Sequence, residues 1–343
     1  MELAVNGIKL KTDPDKFGEL RDANEIFDDL DALKARMEED GYLLFRNFLD
    51  REVVLRAREE ILLKYAVVGE IDAINHPLMD AIYSDHSFID KVNLIAFTES
   101  IRSGMAYENV IMNEKLVHFF ERWFGRGPVR TFDFKWPRFF RPGEGTGLHC
   151  DSPYINRGTL NLYSSWIPLG DVNPDGGTLI VLENSHKSEK LKESYSKKDA
   201  DRDQIGWLST DPVKLQEKLG GRWLTTNFRA GDVFIFGIYL VHGGTDNTSP
   251  ERRCRLTSDT RYQLADEPLD ERWNGRNINP HGGRRVFLPG LGKWNNNKEF
   301  EEEWKPVDEH GRLITFSHPD SVREGGDVVR AKGEARRPSV QSV

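Results

Sequence analysis

The first third of the chain combines helical spacing of apolar residues with one short apolar run. This pattern predicts a helical part, in which Asp50 is the N-cap of one helix and Gly41 ends another. Residues 1–25 are polar and are expected to wrap the surface. The predicted elements are helices over residues 24–39 and 50–63, a strand over residues 42–45, and a mostly helical stretch over residues 66–125.

The spacing changes near residue 129, where runs typical of strands begin. Pro137 interrupts the first run and indicates a sheet edge or a bulge. The sequence Asp175–Gly177 predicts a tight turn. Many short strands between Gly-rich turns favour a jelly-roll barrel, which has two sheets and a mouth for a ligand. The predicted strands span residues 131–140, 158–169, 178–182, 223–228, 232–241 and 255–262.

Two further stretches complete the predicted organisation. Residues 183–220 are charged and are expected to form an insertion between strands. Residues 319–343 have little apolar surface to bury and are predicted to be a flexible tail. We therefore predict a single domain over residues 1–318, mainly β with flanking helices. Its helical part spans about residues 24–125 and its jelly-roll core about residues 129–262.

Charge and cysteine content narrow the class of protein. The 343 residues have a formal net charge of −8 and no long basic run, so nucleic acid is not an expected partner. Two cysteines, Cys150 and Cys254, are too few for a disulfide framework. The sequence has no signal-peptide core and no apolar run of the roughly 20 residues that span a bilayer. These features predict a cytoplasmic protein without a membrane partner; they do not indicate its oligomeric state.

The sequence GLHCD at residues 147–151 places two metal-binding residue types two positions apart. On a strand, His149 and Asp151 point to the same side while Cys150 points away. His242 ends a second apolar stretch, VFIFGIYLVHGG. Two histidines and one carboxylate leave half of an octahedral shell open, which suits non-haem Fe(II) that must also bind a cosubstrate and O2. Each residue taken singly is better explained by packing or a backbone contact, but the three together favour a metal.

Other polar clusters are not expected to bind a metal. Histidines in the predicted helical stretch are expected to pack or face solvent, and His186 is expected to be structural. The acidic run Asp199–Asp203 resembles the start of a calcium loop, but the required glycine and the bidentate glutamate are missing. A solvated acidic loop explains it better. The helical-stretch histidines are His76, His86 and His118.

Arginines follow His242 on the next predicted strand. A dicarboxylate cosubstrate that chelates iron through its keto-acid end needs an anchor for its distal carboxylate, and an arginine fork suits that role. Alternation places Arg253 and Arg255 on the same face. Arg255 is preferred because Thr257, two residues further, offers a hydroxyl to the same carboxylate. Arg253 remains the alternative.

The stretches RPGEGTGLHCD, WIPLGDVNPDGGTLIVLENSHK and HGG…N…R together resemble the phytanoyl-CoA dioxygenase family of Fe(II)/2-oxoglutarate-dependent oxygenases. The resemblance covers about residues 130–262, with a weaker match at residues 41–54. It implies a double-stranded β-helix (jelly-roll) core. It also implies that iron is bound by two histidines and an aspartate, which correspond to His149, Asp151 and His242.

The family also binds 2-oxoglutarate through an arginine shortly after the distal histidine. The usual residue count points to Arg253, whereas the RLTSD pattern matches Arg255. Trp166 matches an aromatic residue near the cosubstrate in some relatives, and an ordinary core tryptophan is an equally good explanation.

The resemblance implies oxidative decarboxylation of 2-oxoglutarate to succinate and CO2, coupled to hydroxylation of a small-molecule C–H bond. Asp151 fills the position that a halide would need, so hydroxylation or desaturation is expected rather than halogenation. One alternative is a Zn²⁺ hydrolase or cupin-type isomerase, which has no need for the arginine strand. A second is a non-catalytic binding module, which predicts an incomplete triad.

The substrate is not indicated by any motif. Its walls are expected from residues 66–125, 183–220 and 263–300. No adenine-nucleotide motif is present, so a CoA ester is not favoured. Four acids of the last segment are candidates to face a cationic substrate, although a solvated acidic loop explains them better. They are Asp266, Glu267, Asp270 and Glu271.

Overall fold

The computed structural model describes residues 2–203 and 205–275, together with Ile278 and two short paired strands, Val286–Phe287 and Trp294–Asn295. The tail expected at residues 319–343 lies outside the described residues, as does most of the segment after residue 275. Within the described part, no helix has both the length and the apolar character that crossing a bilayer requires.

The N-terminal residues do more than wrap the surface. A hairpin of β1 (Ala4–Val5) and β2 (Ile8–Lys9) buries Leu3 and Val5, and β3 (Phe17–Glu19) pairs with a strand of the barrel. Next come α1 (Leu30–Asp40) and β4 (Tyr42–Phe45). The first helix begins later than predicted because Asp29 is its cap, accepting a hydrogen bond from the amide of Ala32. Gly41 ends it with a φ of 80°, as predicted.

Asp50 caps α2 (Arg51–Val67), as predicted, and accepts hydrogen bonds from two amides of its first turn. The expectation of a mostly helical stretch over residues 66–125 is confirmed only for its second half. Residues 68–93 are irregular with short 3-10 turns. Gly69, with a φ of 73°, stops the preceding helix, and Pro77 disfavours helical geometry at the residue before it. The helices of the second half are α3 (Leu94–Arg102), α4 (Met105–Ile111) and α5 (Glu114–Phe124).

The remaining strands form most of two facing sheets. One sheet has the order β3-β10-β9-β12-β7, and the other has the order β4-β11-β8-β13, with β5 and β6 both paired to the far side of β13. Pro137 therefore lies at a sheet edge, as predicted. The strands are β5 (Val129–Thr131), β6 (Trp136–Phe140), β7 (Thr146–His149), β8 (Tyr163–Pro168), β9 (Leu179–Leu182), β10 (Trp223–Thr225), β11 (Val233–Gly237), β12 (His242–Gly244) and β13 (Arg255–Leu264).

The two faces of the six-stranded sheet differ in character. Its outer face packs against the helices through side chains such as Leu256 and Tyr262. Its inner face is apolar where Trp166 and Phe234 meet the other sheet. The insertion between β9 and β10, with α6 (Glu189–Lys192) and α7 (Pro212–Leu219), covers the outside of the five-stranded sheet. These layers confirm the mainly β fold with a jelly-roll core and flanking helices.

Candidate metal centre

Strand pairing brings the three predicted ligands together. His149 ends β7 and His242 begins β12, and the two are direct partners in the antiparallel ladder. Asp151 follows two residues after His149, and its Oδ1 lies 3.8 Å from Nε2 of each histidine. Their candidate ligand atoms all lie within 4.8 Å of one another, and all three side chains are buried. No other group of this kind occurs in the part of the chain that the structure describes.

Backbone contacts orient both imidazole rings in the same way. Nδ1 of His149 donates to the carbonyl of Gly147 at 2.8 Å, and Nδ1 of His242 donates to the carbonyl of Leu240 at 3.0 Å. With the proton on Nδ1, the lone pair of each Nε2 faces Asp151. Fixing the tautomer in this way prepares imidazole to bind a metal.

The carboxylate of Asp151 is held by one of its two oxygens. Oδ2 accepts hydrogen bonds from Ser164 Oγ at 2.5 Å and from Arg261 Nη2 at 2.9 Å. Oδ1 is the oxygen that faces the histidines. Ser164 on β8 and Arg261 on β13 are direct cross-strand partners, which is why both reach the same carboxylate. The sequence reasoning missed both residues, although Arg261 is six positions beyond Arg255 on the same strand face.

The protonation states also suit a metal. Burial, together with the neighbouring His242, lowers the pKa of His149 to about 3. Burial alone would raise the pKa of Asp151, but Arg261, the two histidines and Ser164 outweigh that effect and lower it. At neutral pH, His149 is therefore a neutral imidazole and Asp151 a carboxylate, which are the forms that bind divalent ions.

Arg255 and Thr257 are buried, and each has a polar atom without a hydrogen-bond partner among the described residues. Arg255 lies over the ring of Phe140 at 3.9 Å, and its Nη1 donates to the carbonyl of Gly177. Its Nε and the hydroxyl of Thr257 have no hydrogen-bond partner among the described residues. Burial lowers the pKa of Arg255 to about 9. A buried guanidinium and hydroxyl with unmet hydrogen bonds fit the distal carboxylate of a dicarboxylic cosubstrate.

Arg253 is placed elsewhere. It is about half exposed, and its Nη1 donates to a carboxylate oxygen of Asp80 at 2.9 Å. The prediction that alternation puts Arg253 and Arg255 on one face was wrong. Arg253 lies at the surface and Arg255 is buried, because β13 begins only at Arg255 and alternation does not extend back to Arg253. Trp166 packs against Phe228 in the barrel interior at 4.7 Å, and its role toward 2-oxoglutarate stays a prediction.

The clusters set aside in the sequence have other partners. His186 donates to the carbonyl of Glu38, and the three histidines of the helical stretch are exposed. Asp199 pairs with Arg157 and Arg272. The four acids proposed as an alternative contact for a cationic substrate are engaged as well. Asp266 pairs with Arg126, Glu267 accepts from Thr159, Asp270 pairs with Arg272, and Glu271 pairs with Arg157.

A cavity adjoins the candidate ligands. Two of its walls come from the segments that the sequence predicted, since Trp207 belongs to residues 183–220 and Trp273 to residues 263–300. The expected third wall, residues 66–125, is absent from its described lining, because those helices pack on the outside of the six-stranded sheet. The lining residues are Trp136, Arg138, Thr146, His149, Asp151, Tyr154, Ile155, Trp207, Arg261 and Trp273.

Comparisons with known proteins agree with this arrangement. A family model described as phytanoyl-CoA dioxygenase (PhyH) matches residues 37–254, a range that contains all three candidate ligands. Two curated 1-deoxypentalenic acid 11-beta-hydroxylases, from Streptomyces arenae and Streptomyces exfoliatus, are each 25% identical to the chain and align with 73% of it and 87% of their own length.

Solved structures share the fold at low sequence identity. The carbocyclase SnoK, an alpha-ketoglutarate-dependent enzyme of nogalamycin biosynthesis, matches with a TM-score of 0.51 and 18% identity over 79% of this chain and 96% of its own. The epimerase SnoN, crystallised with Fe3+ and alpha ketoglutarate, matches with a TM-score of 0.50 and 18% identity over 83% and 95%.

Proposed function

Because the chain belongs to the phytanoyl-CoA dioxygenase family, we propose specific residue roles for its use of Fe(II), 2-oxoglutarate and O2. Its activity is that of a non-haem Fe(II)/2-oxoglutarate-dependent dioxygenase. In the proposal, Nε2 of His149, Oδ1 of Asp151 and Nε2 of His242 bind the iron. Support comes from the 3.8 Å separations of these atoms and from the backbone contacts that leave each Nε2 unprotonated.

The observation on which the proposal chiefly rests is a pair of unpartnered polar atoms on β13. We assign the distal carboxylate of 2-oxoglutarate to Arg255 and Thr257, since both side chains are buried. Nε of Arg255 and the hydroxyl of Thr257 have no hydrogen-bond partner in the described part of the chain. Such unmet groups are costly unless a ligand supplies the partner. Arg253 already has Asp80 as its partner and is half exposed, which argues against it.

Iron and 2-oxoglutarate, when bound, supply the oxidising chemistry in which O2 is consumed and succinate and CO2 are formed. The side chains of this protein hold and orient the reactants. His149, Asp151 and His242 would hold the metal, and this donor set leaves positions for a cosubstrate and O2. Ser164 and Arg261 hold Asp151 in place, and tryptophans form part of the cavity wall.

The substrate in this proposal is a small molecule that is hydroxylated at a C–H bond. The two hydroxylases from Streptomyces are named for 1-deoxypentalenic acid as their substrate. The cavity of this protein has three tryptophans in its lining, which suit a compact apolar molecule. A cytoplasmic location stays a prediction and rests on Cys150 and Cys254, which are buried and free.

The alternative roles are less compatible with the site. A zinc hydrolase or a cupin-type isomerase has no use for a buried arginine and a buried hydroxyl with unmet hydrogen bonds. A non-catalytic module has no need of a complete triad. An anaerobic titration tests the proposal. Iron-free protein receives Fe(II) and then 2-oxoglutarate while the visible charge-transfer band is recorded. A saturable band is expected, and metal binding without a band would favour the zinc or cupin alternatives.

A further inference from the structure

Arg261 has more hydrogen-bond donors than its contact with Asp151 uses. The side chain is 5% exposed, and Nη2 donates to Asp151, while Nε and Nη1 have no partner among the described residues. A guanidinium has five N–H groups, of which Nε and Nη1 contribute three. Buried N–H groups without partners point to a ligand. If Arg261 had only a structural role, the free-energy cost of burying these N–H groups would not be offset.

These free donors belong to the wall of the cavity. Arg261 lines it together with His149 and Asp151. Trp136 lies over the guanidinium at 4.4 Å, which covers a face and leaves the edges for hydrogen bonds. The second arginine of the wall, Arg138, is already ion-paired with Asp259. Arg261 is therefore the arginine of this wall with donors to offer.

The rest of the cavity is suited to an apolar body. Trp207, Trp273 and Ile155 contribute apolar surface, and Asp151 is the one acid among the described lining residues. Because Asp151 is engaged with Arg261 and the histidines, a cationic group would find no free counter-charge here. A carboxylate, in contrast, would find the unpartnered N–H groups of Arg261 Nε and Nη1.

From these contacts we propose that the substrate is a small apolar carboxylate whose carboxylate binds Arg261 while its body packs against the tryptophans. The inference rests on the proposed function, since it places the substrate beside the candidate iron ligands. It makes Arg261 a specificity-determining residue, with Nε and Nη1 as the donors to the substrate.

A second carboxylate also approaches this region, namely the keto-acid end of 2-oxoglutarate. Arg255 and Arg261 are six residues apart on β13, which corresponds to about 20 Å along a strand. Arg255 is not among the lining residues of the cavity, whereas Arg261 is. Arg261 is therefore the one of the two that can reach a molecule in the cavity, and the test separates the two carboxylates as sources of a contact.

The test compares two probes that differ in charge. Anaerobic protein loaded with Fe(II) and saturating 2-oxoglutarate is titrated at neutral pH with adamantane-1-carboxylate and with adamantane-1-carboxamide. Binding is followed by tryptophan fluorescence and by the change in the charge-transfer band. We expect the carboxylate to bind at least about tenfold more tightly than the amide, as a charge-assisted bond requires. The cyclohexane analogues serve as a smaller pair.

Three variants locate the preference. Arg261→Gln should reduce the ratio of the two affinities to about one, and Arg261→Lys should keep part of it, because the charge remains without the fork. Arg253→Gln is the matched control on the same chain segment and should leave the ratio unchanged. Arg261 also contacts Asp151, so its substitution can lower the iron content of the protein. Each probe affinity is therefore expressed per iron-loaded site.

Two results would overturn the inference. In the first, the wild-type protein binds carboxylates and amides of both sizes equally or not at all. In the second, Arg261→Gln weakens 2-oxoglutarate binding while the probe preference persists, which would assign these donors to the cosubstrate. Failure of the proposed function is a different observation, the absence of the charge-transfer band in wild-type protein before any probe is added.

Discussion

Ser164 donates a hydrogen bond of 2.5 Å to Oδ2 of Asp151, on the carboxylate oxygen that does not face the histidines. The contact leaves Oδ1 as the oxygen for the metal and fixes the plane of the carboxylate. A hydroxyl on β8, a strand of the facing sheet, therefore orients the carboxylate of the candidate metal centre, although it contacts no candidate ligand atom.

Ser164→Ala should weaken iron binding, because Asp151 loses one of the two groups that hold Oδ2. Contacts of this kind change metal affinity by about 10- to 100-fold, and we expect the lower end because Arg261 remains. Ser165→Ala is the matched control, since the Ser165 hydroxyl has no partner among the described residues. The iron affinity of both variants is measured by competition with a chelator. Equal losses of affinity would mean that any change in this strand weakens iron binding and that the Ser164 hydroxyl has no specific role.

Asp151→Ala should abolish iron retention and with it the conversion of 2-oxoglutarate to succinate. The substitution also leaves Arg261 buried without its carboxylate, which costs on the order of 3–5 kcal/mol in folding stability. Circular dichroism and iron content are therefore measured together. A folded variant that keeps full activity would remove the triad from the proposed mechanism.

Arg255→Ala should raise the 2-oxoglutarate concentration needed for half-saturation by about tenfold or more, since a buried charge-assisted contact is lost. Arg253→Ala should change it by less than about twofold, as expected of an exposed side chain with a surface partner. The anaerobic titration of the charge-transfer band gives both values. The opposite order would mean that Arg253 binds the cosubstrate.

Iron-free protein should lose stability as the pH falls from about 6.5 toward 4. His149 has its pKa lowered to about 3 in the fold, so the unfolded chain takes up a proton at this position first. The stabilisation from neutral His149 is complete above the unfolded pKa and declines by about 1.4 kcal/mol per pH unit below it.

Urea unfolding of iron-free wild-type protein and His149→Asn between about pH 4.5 and 7 measures this contribution, because asparagine does not titrate. The wild-type curve should fall more steeply with acid. The carboxyl of Asp151 adds its own loss only at lower pH, since its unfolded pKa is that of an ordinary aspartate. Parallel curves would contradict the assignment to His149.

Gly147 allows Trp207 to reach the cavity. A Cβ at position 147 would lie 2.1 Å from the indole ring of Trp207, so Gly147→Ala must displace that ring. The carbonyl of Gly147 that orients His149 would remain. We expect altered tryptophan fluorescence and weaker substrate binding with iron content within about twofold of wild type. Gly206→Ala is the control, because a Cβ there meets nothing within 4 Å.

Features set by neighbours in the sequence were predictable. Asp50 caps its helix, Gly41 ends another and Tyr42–Phe45 is a strand because each signal acts within a few residues. The same holds for the two-residue spacing of His149 and Asp151, which strand alternation converts into a shared face. That His242 and His149 share a site was predictable only through the resemblance to the family, since their direct pairing depends on the register of β7 and β12.

Features set by strand pairing were not predictable. Ser164 and Arg261 meet at Asp151 because β8 and β13 pair in one particular register, which no local pattern specifies. The predicted face of Arg253 was wrong because β13 begins only at Arg255, so Arg253 lies outside the stretch in which side chains alternate. Residues 68–93 lack regular structure for the related reason that Gly69 ends the helix before them.

The candidate iron ligands lie on or next to paired strands, whereas two of the tryptophans that line the cavity, Trp207 and Trp273, lie in segments outside the strands. Part of the cavity wall is thus encoded apart from the strands that carry the candidate ligands. Exchange of the loop that contains Trp207 for one of another length would alter which molecules are oxidised without changing the register of β7 and β12. An architecture of this kind lets new specificities evolve, or be engineered, by loop replacement on a constant oxidising core.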